Sequence, residues 1–190
     1  MQQAFIDESQ VGGTGSGHPF ILTASFPVAA DPDQIRERMR KELPRGANKL
    51  HWRDMTASRR RSIVEVVAGL ELIHFVIVRE YTEIERPERS RRACIEHLLF
   101  ELHSFGVDSA VFESRGKADD ALDMKMVQHL RAQKTLPRSF TVDHVPGPAD
   151  PLLWAADIAC GAIGESTKTG QKHGLEHQAW VMPTNQYYPR

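Results

Sequence analysis

The sequence predicts a one-domain α/β fold, a mixed sheet covered by helices. Two strand-like apolar runs come first, at residues 4–7 and 20–26, as an apparent hairpin. Strand-like and helix-like segments then alternate, the pattern of a sheet whose crossovers lay helices on its faces. Finally, 190 residues that are 41% hydrophobic and 26% charged suit a single domain with a sizeable core.

Each element has a local reason. Residues 4–7 read as a short buried strand, and the glycine-rich residues 11–18 are a loose connection to the strand at 20–26. Asp31-Pro32 supplies an N-cap and a first-turn proline for a polar helix reaching about Leu43. Lys49-Leu50-His51-Trp52 is a connector without a period. Thr56 caps a helix in which Ile63, Val64, Val67 and Leu70 recur at helical spacing. Residues 72–78 are continuously β-branched and aromatic, the best candidate for a central strand. Pro87 opens a helix with Ile95, Leu98, Leu99, Leu102 and Phe105 on one face, and Gly106 is placed to end it. Residues 107–112 form a strand that stops on Glu113. Leu122, Met126, Val127 and Leu130 mark a helix, and residues 140–145 a last strand. Asp150-Pro151 repeats the cap-plus-proline signal before an apolar helix carrying Asp157. After Glu165 the pattern fades, so the expected division is a domain over residues 1–165 and a polar C-terminal tail over 166–190.

A formal net charge of -1 gives no global positive field to hold a polyanion. Cys94 and Cys160 sit in apolar surroundings and read as core residues, not as a disulfide or a zinc site. No signal peptide is visible and no apolar run approaches the roughly 20 residues of a membrane span, so a cytoplasmic protein without membrane contact is expected.

The chemistry-bearing features are acids in apolar settings. Phe5-Ile6-Asp7-Glu8-Ser9 is an apolar run ending on two carboxylates and a hydroxyl. Strand alternation sends Asp7 and Glu8 to opposite faces, and only one can meet the helix bearing Asp157. Asp7 is favoured for that place, with Glu8, Ser9 and His51 as a supporting shell. Asp-Glu-Ser is also ordinary turn chemistry. Asp157, in Leu152-Leu153-Trp154-Ala155-Ala156-Asp157-Ile158-Ala159-Cys160, has apolar neighbours nearly all round. A buried carboxylate costs several kcal/mol unless paired, hydrogen-bonded or metal-bound, so either an Arg or backbone partner or a metal is expected there. Glu113 is a strand-terminal acid, with Arg115 as an alternative local partner. Together the acids form the inventory that hard Mg²⁺ or Mn²⁺ requires for phosphodiester cleavage.

Four stretches carry a family resemblance: residues 5–9, Lys49-Leu50-His51-Trp52, Val111-Phe112-Glu113-Ser114-Arg115-Gly116, and residues 153–161 around Asp157. In order, they resemble the landmarks of domain-of-unknown-function family 3800, of the ribonuclease H-like superfamily, over roughly residues 4–165. The resemblance implies a ribonuclease H-like mixed five-stranded sheet flanked by helices. It implies an acidic Mg²⁺ or Mn²⁺ site of Asp7, Glu113 and Asp157. Glu113 stands where the family often has Asp, and Lys49 and His51 stand where it often has an acid followed by Lys. A missing fourth acid weakens a two-metal site, and His51 is a candidate ligand or proton carrier.

Two signals are discounted. The glycine-rich residues 12–17 lack the Gly-Lys-Ser/Thr ending of a phosphate loop. His173-Gly174-Leu175-Glu176-His177 has the letters of an inverted zinc-peptidase motif but no third ligand. The runs Arg59-Arg60-Arg61 and Arg89-Ser90-Arg91-Arg92 are solvated helix faces or, if they flank the acids, local patches for nucleic-acid phosphates. Two functions stay open: a metal-dependent nuclease-like hydrolase with catalytic Asp7, Glu113, Asp157, Glu8 and His51, or a non-catalytic interaction module whose acids are structural.

Overall fold

The computed structural model describes residues 2–10, 19–79 and 87–184. β1 (Gln3–Gln10) and β2 (Phe20–Pro27) pair antiparallel as the expected hairpin, and its glycine-rich connection lies outside the described residues. There follow α1 (Pro32–Lys41), a 3-10 turn (Trp52–Asp54), α2 (Ala57–Ala68), β3 (Leu72–Arg79) and α3 (Pro87–Phe105). β4 (Ser109–Glu113), α4 (Lys117–Ala132), β5 (Thr141–Val145), α5 (Pro151–Thr169) and β6 (Ala179–Pro183) complete the chain. The anticipated caps form: the Asp31, Thr56 and Asp150 side chains accept the backbone N–H groups of Asp33, Arg59 and Leu152, satisfying donors that the first turn leaves open.

The sheet order is β5-β4-β1-β2-β3-β6. β2 runs antiparallel to β1 and β3, while β1–β4, β4–β5 and β3–β6 are parallel. The mixed α/β expectation holds, with six strands in place of five. The extra strand, β6, lies in the segment expected to be a polar tail. It is a short edge strand with Trp180 and Val181 exposed, so it carries no buried apolar run by which to recognise it. α5 also continues past residue 165, so the expected boundary falls within a helix. β3 is not central. β1 and β2 hold the middle, and β3 is apolar because helices cover both its faces.

Alternation divides the core into two layers. Phe5, Ile21, Val76 and Val111 face the layer of α1, α2 and α5, whereas Ile6, Leu22, Ile77 and Phe112 face the layer of α3 and α4. Consecutive residues at the end of β1 therefore enter different layers, and this separates Asp7 from Glu8. α5 is buried continuously from Pro151 to Gly164, packed on β1, β2, α1 and α2. Its apolar character reflects burial on every side. Among the described residues no helix is long and apolar enough to cross a membrane. Arg36 on α1 grips Asp150 with three hydrogen bonds, Nε to Oδ1 at 3.0 Å and to Oδ2 at 3.2 Å and Nη2 to Oδ2 at 2.9 Å, which ties α1 to the start of α5.

Candidate functional site

The β1–β4 register pairs Phe5 with Val111 and Ile6 with Phe112. One step on, Asp7 and Glu113 are neighbours on the layer that α5 covers. α5 crosses this end of the sheet and presents Asp157. The connector before α2 closes over the three acids: the Lys49 ammonium donates to Glu113 Oε1 at 2.5 Å, the Trp52 backbone N–H donates to Asp157 Oδ2 at 2.6 Å, and His51 Nδ1 lies 3.0 Å from Asp157 Oδ1. The fold thus brings together Asp7, Glu113, Asp157 and His51.

Two glycines make this closeness possible. A Cβ on Gly147 would fall within the Glu113 carboxylate, and one on Gly161 within the Trp52 indole. Gly161 lies one helical turn after Asp157, so the Trp52 indole rests on α5 and the Trp52 backbone N–H is held against the acid. Arg60 stacks over the same indole, 4.8 Å from the ring centroid. Trp154 Nε1–H donates to the Gly147 carbonyl at 2.7 Å, pinning the loop beside Glu113. The sequence reading passed over Gly147, Gly161 and the Trp52 N–H. Only the helical offset of Gly161 from Asp157 could have hinted at any of them.

The acids repel one another, and the cations answer them. Burial, followed by the charges of Asp157 and Glu113, holds the Asp7 carboxyl well above the usual carboxylate range, and a hydrogen bond to Asp157 adds to the effect. Like charges this close disfavour the ionised form of a buried acid. Burial lowers the Lys49 pKa, but the hydrogen bond to Glu113 and the charges of Glu113, Asp157 and Asp7 outweigh it, and the net shift is upward. The hydrogen bond to Asp157 leads in raising His51. Burial drives the Cys160 thiol well above its ordinary value, with the charge of Asp7 next, so it is an inert core thiol on the site's floor.

The donor set fits a single hard cation better than it fits the three-carboxylate centre of the sequence reading. Mg²⁺ commonly takes one or two carboxylates and keeps several waters, and Asp7 and Asp157, which act on one another across the layer, are the candidate pair. Glu113 is engaged by Lys49. Among the described residues no group of three His, Cys, Asp or Glu side chains is arranged to hold a metal ion.

Glu8 stands in the other layer. Its Oε2 accepts from Arg91 Nε at 2.6 Å, and Arg115 Nε lies 3.6 Å from Oε1. Arg91 also donates both Nη groups to Asp123, with Nη2 2.9 Å from Oδ2, and His144 Nε2 lies 3.0 Å from that same oxygen. Glu8 is thus held by arginines on the face opposite Asp7 and does not join the acids there, whereas Ser9 shares the Asp7 face by alternation. The arginine runs are solvated in part: Arg61, Arg89 and Arg92 are exposed, whereas Arg59 pairs with Glu42, Arg60 with Glu165, and Arg91 is buried. In the discounted zinc-like stretch, Glu176 accepts from Ser166 and from the N–H groups of His173 and Gly174, a structural role.

Solved structures share this mixed α/β architecture. The fold is ribonuclease H-like. The ribonuclease HII of Archaeoglobus fulgidus, solved with PCNA, aligns with a TM-score of 0.59 and 16% identity, covering 90% of this chain and 79% of that chain. The ribonuclease H2 of Pyrococcus horikoshii aligns with a TM-score of 0.59 and 15% identity, over 92% of this chain and 78% of that one. A ribonuclease HIII in complex with Mn²⁺ is looser, with a TM-score of 0.48 and 13% identity over 90% of this chain and 56% of that one. Identities this low establish architecture alone. No protein-family profile and no curated protein matches the chain, so the likeness to family 3800 rests on its motifs.

Proposed function

We propose that this chain is a nuclease-like, metal-dependent phosphodiester hydrolase with Asp7, Asp157 and Glu113 as its acidic site. The observation carrying this reading is the convergence of acids from β1, β4 and α5 beneath one connector, with Lys49 on Glu113 and with His51 and the Trp52 N–H on Asp157. An arrangement that leaves a buried acid short of positive charge costs stability, and a cation repays that cost when it binds. Bound Mg²⁺ or Mn²⁺ supplies a water of lowered pKa and neutralises charge on the phosphoryl oxygens.

The chain's own groups do the rest. Asp7 and Asp157 offer the oxygen donors, and the Trp52 N–H fixes the Asp157 carboxylate in one orientation. His51 is anchored at Nδ1 by Asp157, which leaves Nε2 to take or return a proton during cleavage. Arg91 and Arg115 steady Glu8 behind Asp7. The exposed Arg61 and Arg92 are the members of the two arginine runs that suit phosphates flanking a scissile bond.

The test is Mn²⁺ calorimetry on wild type, Asp7→Asn and Asp157→Asn, followed by cleavage of single- and double-stranded DNA and RNA with and without EDTA. Binding and cleavage are expected in wild type and lost in both variants. Equal Mn²⁺ binding by wild type and Asp157→Asn removes Asp157 from the site.

The Lys49–Glu113 pair favours a second reading, a non-catalytic module of the same fold with a degenerate site. There both substitutions raise the melting temperature, because repulsion is relieved, and no divalent ion shifts it in any of the proteins.

A further inference from the structure

We infer that the face formed by α1, the connector after it and the start of α2 docks a double-stranded nucleic acid through its phosphates, without reading its sequence. Its link to catalysis rests on the hydrolase reading above; the binding itself needs neither a metal nor the acids. Residues 31–61 hold ten lysines and arginines against five aspartates and glutamates, whereas the rest of the chain holds fourteen against twenty. A nearly neutral protein thus carries one segregated basic segment, the charge distribution that suits a polyanion.

Tertiary contacts gather that segment into one surface. Glu42, at the end of α1, accepts from Arg38 and from Arg59 in the first turn of α2. Arg60 donates to the Trp52 carbonyl and stacks over its indole, while the Trp52 N–H donates to Asp157. A single residue therefore joins the basic face to the acids.

The face has more positive charge than its own acids engage. Arg40, Arg45, Arg53 and Arg61 are exposed, and among the described residues their guanidinium groups make no hydrogen bond or ion pair. The acids of the segment are already occupied. Asp31 caps α1, Asp33 pairs with Arg36, Glu37 with Lys41 and Glu42 with Arg38, and Asp54 acts on His51. The first turn of α2 contains no acid, so the positive end of the helix dipole adds to the field. Phosphates are what free guanidinium groups bind without regard to sequence. Trp52 is the segment's only Phe, Tyr or Trp, and it is buried beneath Arg60. A single strand finds no stacking platform there, whereas a duplex offers about twice the phosphate density along its axis.

The experiment is fluorescence anisotropy of a labelled DNA duplex of about 20 base pairs, and of one of its strands alone, from roughly 50 to 200 mM NaCl in EDTA. The full chain is compared as wild type, as Arg45→Gln/Arg53→Gln/Arg61→Gln, and as a charge-matched control. The control is Lys125→Gln/Lys134→Gln/Arg138→Gln, whose residues are exposed on and after α4, and circular dichroism confirms folding. Wild type is expected to bind the duplex more tightly than the strand, and more weakly as salt rises. The arginine variant is expected to bind at least about tenfold more weakly at low salt, with the slope of log K against log salt reduced by about 2–3. The control stays within about twofold of wild type.

No duplex binding by wild type, equal losses in the two triple variants, or a strand bound as tightly as the duplex overturns the inference. So does arginine-dependent binding to phosphatidylserine vesicles without binding to the duplex, which assigns the face to a membrane surface. Duplex binding as expected, with no Mn²⁺-dependent cleavage, leaves the inference standing and removes the hydrolase reading. Cleavage by a wild type whose duplex affinity the arginine variant retains does the reverse.

Discussion

Replacing Arg91 with Met tests how much of the stability rests on charges buried behind the site. The Arg91 and Asp123 side chains are each 3% exposed. The guanidinium is shared between Asp123 and Glu8, at 2.9 Å from Asp123 Oδ2 and 2.6 Å from Glu8 Oε2. Arg91→Met leaves Asp123 with His144 alone, and losing one partner of a buried pair costs about 3–5 kcal/mol. Independently, burial raises the Asp123 pKa, but hydrogen bonds from His144 and Arg91 overcome this and bring it from 3.8 down to about 2. A depression of that size is roughly 2–3 kcal/mol of preference for the charged form. It acts fully above the unfolded pKa and is lost as pH falls through the folded one.

Urea unfolding at pH 7 is the assay. At an m-value of roughly 2 kcal/mol/M, the midpoint drops by about 1.5–2.5 M. The double variant Arg91→Met/Asp123→Leu recovers most of the loss, since an apolar pair of similar volume is often no less stable than the ions it replaces. In Asp123→Asn the contribution that wild type loses between pH 3.8 and 2 is absent. A loss below about 1 kcal/mol for Arg91→Met, the range of an exposed ion pair, refutes the reasoning.

Other perturbations have definite outcomes. His74 is fully buried, bonded to Ser25 at 2.8 Å with its Nε2 unpaired, and burial lowers its pKa from 6.5 to about 4. The unfolded chain therefore takes up a proton that the folded one refuses, and stability falls by up to about 3 kcal/mol as pH drops through that interval. Urea midpoints at pH 7 and 4.5 measure the fall, and His74→Leu flattens it. Gly161→Ala places a methyl within the Trp52 indole and costs about 1–3 kcal/mol by overpacking, read as a lower melting temperature. It also displaces the Trp52 N–H from Asp157, which weakens Mn²⁺ binding relative to a control substitution on an exposed helix face.

The architecture was legible because its cues are local. Helix starts followed from Asp31-Pro32, Thr56 and Asp150-Pro151, where a side-chain oxygen or a proline meets the first turn and needs nothing from elsewhere in the chain. Alternation in β1 determined that Asp7 and Glu8 would part, and the apolar run around Asp157 required a partner for a buried charge. The places where sequence and structure differ are those where a neighbour decides. β6 has an edge strand's weak pattern and belongs to the sheet only because β3 offers it a free edge. β3 looks central because helices bury it from both sides, a property that its residues share with the strands at the true centre.

The sequence by itself determined which residues carry charge, where the capped helices begin and that Asp7 and Glu8 enter different layers, since these depend on covalent chemistry and a two- or four-residue reach. Only the tertiary structure decided that Lys49 meets Glu113, that the Trp52 N–H meets Asp157 and that Arg91 is spent on Glu8 and Asp123. Those pairs join positions 64, 105, 83 and 32 residues apart. Electrostatic attraction and desolvation act through space, so what a charge finds beside it is a property of the packed layers.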